Sequence, residues 1–282
     1  MPIMKKILVG ILIWESRLIL RKYRPFVVAV TGSVGKTSTK DAIYDVLKDH
    51  VGFARKSEKS MNSDIGLPLT IIGVPNAWYD LWNWLNNILV GLRLILFKAD
   101  YPNCLILEVG ADHPGDIRRV AKWLHPDIAV ITRISRMPVH VEFFKSPEEV
   151  FEEKAALVTA IKPGGTLVVY GDEEKILSLG ERVKGRGVSV VSYGLNEHAS
   201  VRASNIAIVY ENNVPVGMSM KISANGEERI LQLRGVLGEA YAYPVLAAAC
   251  VGLSKNSIDQ VVESLKNHSA PKGRMNVLQG LN

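Results

Sequence analysis

Short continuous runs of aliphatic and β-branched residues recur along the chain, each passing through a glycine or polar turn into a helical pattern. The first, Val27 to Thr31, leads through Gly32-Ser33-Val34-Gly35-Lys36-Thr37 into the helical stretch TSTKDAIYDVLKDH. CLILE at 104–108 ends in Glu108 and reaches a glycine before a helix opens at or just before Asp116. DIAVIT at 127–132 precedes a loop and a helix, and TLVVYGD (166–172) and VSVVSYG (188–194) repeat the strand signal. Apolar strands alternating with helices predict a mainly parallel sheet flanked by helices on both faces. Over residues 199–234 the period becomes two, with turn signals at Asn212-Asn213 and Asn225-Gly226, which predicts a small antiparallel β extension. Two helices, Glu239 to Leu253 and Ser257 to Asn267, are expected to follow. The fold class is α/β.

Two stretches depart from this alternation. Residues 1–24 contain the apolar run Ile7 to Trp14, too short to span a bilayer and broken by Glu15-Ser16-Arg17. No small-residue cleavage site follows, as a secretory signal would require. On a helix, Ile7, Ile11, Trp14 and Leu18 form a broad stripe with basic residues toward the ends, a pattern suited to a membrane interface. Residues 77–98 give a second such segment, and four of the five tryptophans (Trp14, Trp78, Trp82, Trp84) fall in the two stretches. Packing of the two helices on each other or on the domain accounts for the same periodicity, so both readings stand.

Charge sharpens the picture. The net charge is +6, but residues 1–25 hold six Lys and Arg against Glu15 alone, so +5 belongs to that segment. Basicity confined to one segment argues against a nucleic-acid-binding face. Two cysteines, Cys104 and Cys250, lie in apolar runs and are expected as reduced core thiols, which favours a cytoplasmic location, with the first helix allowing peripheral contact at the inner face of the membrane.

A strand, a glycine loop, Lys-Thr and a helix make a phosphate cradle, or P-loop. Backbone N–H groups of Gly32, Ser33, Val34, Gly35, Lys36, Thr37 and Ser38 and the helix start face the anion, Lys36 neutralises it, and the Thr37 hydroxyl can bind Mg²⁺. Val30 stands where the strict pattern has Gly or Ala. Glu108, at the end of a neighbouring strand, is the candidate carboxylate for that metal, against the simpler reading of a solvated strand end. His140 lies in the loop after the 127–132 strand, and Lys154 lies on the following helix. Each taken alone reads as a loop histidine and a surface lysine, and an ammonium has no lone pair for a metal.

Taken together, TGSVGKTSTK (31–40), MNSDIGLPLT (61–70), LEVGADHPGDI (107–117), VHVEFFKS (139–146), EKAALV (153–158) and GRM (273–275) resemble the central ATPase domain of the Mur ligases. The D-alanyl-D-alanine-adding branch is the nearest in pattern. The resemblance implies ATP-dependent amide formation in peptidoglycan precursor synthesis, by way of an acyl phosphate and with Mg²⁺. It makes Thr37 and Glu108 ligands of a first metal ion and His140 of a second, and matches Lys154 to the lysine that the family carbamylates. The departures are Ser60, Asn62, Ser63 and Asp64 in the asparagine-rich loop, Arg133 for the asparagine after the third strand, and Gly235 to Tyr241 in place of the adenine-holding segment.

The expected organisation is an amphipathic helix over 1–24, a Mur-ligase-like ATPase domain over 25–270 with an aromatic helical insertion at 77–98, and a junction to an absent third domain over 271–282. That arrangement lacks the uridine-nucleotide domain before the P-loop, and a separate chain could supply the domain that binds the acceptor. Two other readings remain: a non-catalytic, membrane-associated ATP-binding module, and a P-loop ATPase of unrelated purpose.

Overall fold

In the computed structural model, which describes residues 2–58, 61–135 and 143–271, the apolar runs become neighbours in one sheet. Its strands are β1 Phe26–Thr31, β2 Ala54–Lys56, β3 Cys104–Glu108, β4 Ile128–Ile131, β5 Thr166–Tyr170, β6 Ser189–Gly194, β7 Val201–Glu211, β8 Val214–Ala224 and β9 Glu227–Arg234, in the order β2-β3-β1-β4-β5-β6-β7-β8-β9. The first seven pair in parallel and the last three antiparallel. The chain leaves β1 toward β3 on one side and returns to β4 on the other. This reversal opens a crevice at the carboxyl ends of the strands, where α/β sheets bind ligands.

The helices are α1 Pro2–Tyr23, α2 Lys36–Leu47, α3 Gly66–Ile72, α4 Leu81–Leu96, α5 Asp116–Ala121, α6 Pro147–Ala155, α7 Glu174–Leu177, α8 Ala242–Gly252 and α9 Ile258–Lys266. Strands β1, β3 and β4 are buried almost throughout, as strands covered on both faces must be. The hairpin turns fall where asparagine predicts them. Asn212, Asn213, Asn225 and Gly226 all take positive φ, the backbone of a tight turn that matches strand twist.

The antiparallel extension continues the main sheet, because Tyr193 and Gly194 pair in parallel with Val201 and Arg202 and carry it into the meander. Two differences from the sequence reading have physical causes. Strand β2 and helix α3 had no clear periodic signal: β2 has three residues, and α3 is buried on all sides. The 77–98 helix begins only at Leu81, where the Asp80 carboxylate accepts from the Trp82 and Asn83 amides at 2.9 and 3.1 Å and Trp78 turns the chain at φ 49°.

Helix α1 packs on α3 and α4, and no described helix is long and apolar enough to cross a membrane. Its inner face buries Leu12, Glu15, Ser16 and Ile19. The two helices end side by side: Lys22 Nζ donates to the carbonyls of Leu94 and Ile95 at 2.7 and 3.0 Å, and the Tyr23 hydroxyl to Leu94 at 3.0 Å. These bonds occupy the open carbonyls at the α4 C-terminus. Gly91 is needed for this contact, since a Cβ there would lie 2.4 Å from Glu15 Oε2.

Glu15 is fully buried, with neither oxygen hydrogen-bonded among the described residues, and burial raises its pKa to about 7. Its ordinary value is 4.5, so the folded state holds an extra proton between 4.5 and about 7, and stability falls as pH rises through that interval. Glu15→Gln is expected to stabilise the protein by on the order of 2 kcal/mol at about pH 8 and to leave it unchanged at about pH 4. Urea melts across that range provide the check; parallel curves for the two proteins would contradict it.

Candidate phosphate and metal site

The loop between β1 and α2 is fixed from the β4 side. The amides of Ser33 and Val34 donate to the Arg133 carbonyl at 2.9 and 3.2 Å, and the Thr132 hydroxyl donates to the Val34 carbonyl at 2.7 Å. The approach is close enough to require glycine: Gly32 has φ 147°, and a Cβ there would sit 1.9 Å from Thr132 Oγ1. The Ser33 and Val34 amides are thus engaged by the Arg133 carbonyl. Arg133, a departure from the expected asparagine, serves here through its main chain.

The helix start is arranged for an anion. Gly35 precedes α2 in the left-handed conformation (φ 85°), and no side chain caps the helix. The first intrahelical bond runs from Thr39 N to Gly35 O, so the amides of Lys36, Thr37 and Ser38 have no carbonyl in their own helix. Ser33 Oγ is buried without a partner among the described residues, and its hydroxyl is suited to donate to a phosphate oxygen. Lys36 Nζ meanwhile folds back on the Gly32 carbonyl at 3.0 Å.

Glu108 stands beside this start. The β1–β3 register sets Val30 opposite Glu108, and the Thr37 hydroxyl donates to Glu108 Oε1 at 3.2 Å. Glu108 is buried and not a solvated strand end. Its other oxygen lies 3.9 Å from Lys40 Nζ, itself buried, donating to the Ser57 carbonyl at 2.7 Å and 3.5 Å from Asp41. The Glu108 amide donates to Ser57 Oγ at 3.1 Å. Lys40 was visible in the sequence, one helical turn beyond Thr37; Ser57 was not, because it follows the unrecognised strand β2.

Lys154 is also not the surface residue that it resembled alone. It is buried on α6, a helix that Ser146 caps by accepting from the Glu149 amide at 3.2 Å. Burial and then the nearby Lys36 ammonium lower its pKa from 10.5 to about 8, against the opposing pull of Glu153 and Asp112. Glu153 is committed elsewhere: its buried carboxylate accepts from the amides of Gly115, Ile117 and Arg118 at 2.9, 2.6 and 3.1 Å, capping α5. That cap ties the Lys154 helix to the loop after β3.

The structure therefore gathers Lys36, Thr37, Glu108 and Lys154 around one helix start. His140 and Ser60 lie outside the described residues, as does the GRM junction at 273–275. Among the described residues no three His, Cys, Asp or Glu side chains form a metal cluster. The Thr37 and Glu108 oxygens nonetheless fit Mg²⁺, which commonly takes one or two carboxylates and completes its shell with phosphate and water.

The chain matches the Mur ligase middle domain family over residues 30–252. It is 31% identical over 147 residues to the UDP-N-acetylmuramoyl-tripeptide–D-alanyl-D-alanine ligase of Bacillus subtilis, covering 52% of this chain and 26% of that protein. With the enzyme of that name from Buchnera aphidicola it shares 26% over 255 residues, 90% of this chain and 48% of the relative. The crystal structure of MurF ligase from Thermotoga maritima in complex with ADP superposes with a TM-score of 0.74 at 26% identity, covering 96% of this chain and 55% of that one. The chain thus spans about half the length, or less, of these relatives.

Gly32→Ala is expected to force the loop off β4 and weaken nucleotide binding about tenfold or more, read by calorimetric titration, with the fold retained by circular dichroism. Unchanged affinity would mean that the contact with Thr132 does not set the loop.

Proposed function

This chain belongs to the Mur ligase middle-domain family, and on that footing we propose that it is the ATP-using core of a carboxylate–amine ligase of peptidoglycan precursor synthesis. The observation that carries the reading is the set of Thr37 and Glu108 oxygens beside the uncapped start of α2, with Lys154 near Lys36. In this chemistry the γ-phosphate passes to a substrate carboxylate, an amine attacks the acyl phosphate, and inorganic phosphate leaves. A carboxylate approaching a triphosphate is repelled. The α2 amides and Lys36 offset that repulsion from the protein side; one Mg²⁺ held by Thr37 and Glu108 and, by family resemblance, a second held by His140 would add to it.

Lys154 fits carbamylation. With a pKa near 8 about half of it is neutral at pH 8, and its nitrogen can add CO₂ with loss of a proton to solvent. The product is an anionic oxygen ligand where an ammonium stood. The remaining parts of a complete ligase, which bind the acyl substrate and the amine, are proposed to come from outside the matched region, in the same polypeptide or a separate chain. Work at the cytoplasmic face of the membrane is proposed as well, since α1 and α4 leave large apolar side chains exposed.

A second reading, an ATP-binding module without ligase activity, is favoured by one observation. Tyr241, in the segment that holds adenine in the family, is buried, and its hydroxyl lies 2.7 Å from His268 Nε2. His268 Nδ1 is in turn 2.7 Å from Asp45, so the tyrosine serves the fold and not the base.

Slow Mg·ATP hydrolysis that disappears in Lys36→Ala and Glu108→Gln is expected of the ligase core. Binding without turnover, even with the candidate partner domain added, would favour the module; no binding at millimolar nucleotide would remove both. With ¹³C-bicarbonate at about pH 8, a carbamate resonance is expected from the wild type and not from Lys154→Ala. A spectrum identical in the two proteins would remove the proposed role of Lys154.

A further inference from the structure

The N-terminal helix carries a second feature, on the far side of the molecule's chemistry. Seven-residue steps along α1 place Ile7, Trp14 and Arg21 on one stripe, apolar at its start and cationic at its end. Ile7 and Trp14 are exposed. Helix α4 repeats the arrangement: Trp82, Leu85 and Leu89 are exposed on one face, with Arg93 one turn further on. Because Glu15 meets Gly91 and Lys22 meets the last α4 carbonyls, the two helices run alongside each other, with their basic ends together.

Beside that basic end is a cavity of about 340 Å³ lined by Arg17, Arg21, Arg24, Lys122, His125 and Lys162. Leu20, Pro25 and Trp123 also line it. Among the described residues, only Lys162 of these has an acidic partner, the Asp127 carboxylate at 2.9 Å. The side chains of Arg17, Arg21, Arg24 and Lys122 make no hydrogen bond or ion pair among the described residues. Arg24 holds φ 47° at the end of α1, a position where glycine is the cheaper residue. Four uncompensated cations around one cavity repel one another, and an anion relieves that repulsion.

We propose that this cavity holds the phosphate of an anionic lipid headgroup while the apolar stripes of α1 and α4 lie in the same leaflet. This rests on the membrane-surface reading above and names its ligand. Charge complementarity selects the occupant: the segment carries +5 of the chain's +6, and exposed Trp and Tyr beside Lys and Arg match the polar boundary of an anionic bilayer. Nothing in the proposal involves the P-loop, which lies at the opposite, carboxyl end of the strands.

The test is flotation of the full chain with phosphatidylcholine vesicles, with and without phosphatidylglycerol. The wild type is expected to float with the anionic vesicles. Arg21→Ala combined with Lys122→Ala is expected to weaken that binding about tenfold or more. Trp82→Ser combined with Leu89→Ser is expected to abolish flotation with both vesicles. All four positions are exposed, and unchanged melting temperatures establish that the variants fold. If the cationic variant keeps its full preference for phosphatidylglycerol, the headgroup site is wrong and the membrane reading survives. If the wild type stays soluble, or the apolar variant floats as well as the wild type, the membrane reading itself fails. In that case, inorganic phosphate binding by calorimetry would mark a free-anion site, and a dimer that the apolar variant dissolves would mark a self-association surface; either overturns the proposal.

Discussion

The parallel register that sets Val30 against Glu108 is the constraint on which the site depends. It holds a carboxylate level with the start of α2, within reach of the Thr37 hydroxyl, without any loop having to choose its conformation. A one-residue slip would turn Glu108 to the other face of the sheet. The loop itself is set from the opposite strand, through Thr132 and the Arg133 carbonyl, so both neighbours of β1 are needed to define one phosphate cradle.

The charges around that cradle are expensive to bury, and the structure offsets the cost unevenly. Lys40 is surrounded by the Ser57 carbonyl, Asp41 and Glu108, so its ammonium keeps its partners. Lys154 is compensated only in part, and its proton is held weakly as a result. Glu153, its neighbour in sequence, is spent on three amides of α5. Adjacent residues on one helix thus divide the work: one fixes the backbone, and the other is left chemically available.

The α1–α4 pair follows a different logic. Its interior is imperfect, with the Glu15 carboxyl against Gly91 and without a hydrogen-bond partner among the described residues, and its exterior keeps large apolar side chains exposed. A helix pair selected only to stabilise the domain would turn those side chains inward. Keeping them outward, in line with a cationic end, is a cost to the isolated domain that the proposed bilayer contact would offset.

Much of this was legible in the chain. Continuous apolar strands, the glycine loop with Lys36 and Thr37, and the asparagine turns announce themselves, because each rests on local backbone geometry or a two- or seven-residue period. The strand β2, the buried helix α3 and the role of Ser57 were not legible, since a three-residue strand and an all-round apolar helix carry no period. Taken alone, Lys154 reads as a surface lysine, given its site role only by the family resemblance, and α1 keeps two readings. Burial and charge proximity are properties of the assembled sheet: only tertiary packing brings Lys36 next to Lys154, and only the meeting of α1 with α4 decides which apolar side chains are core and which remain outside.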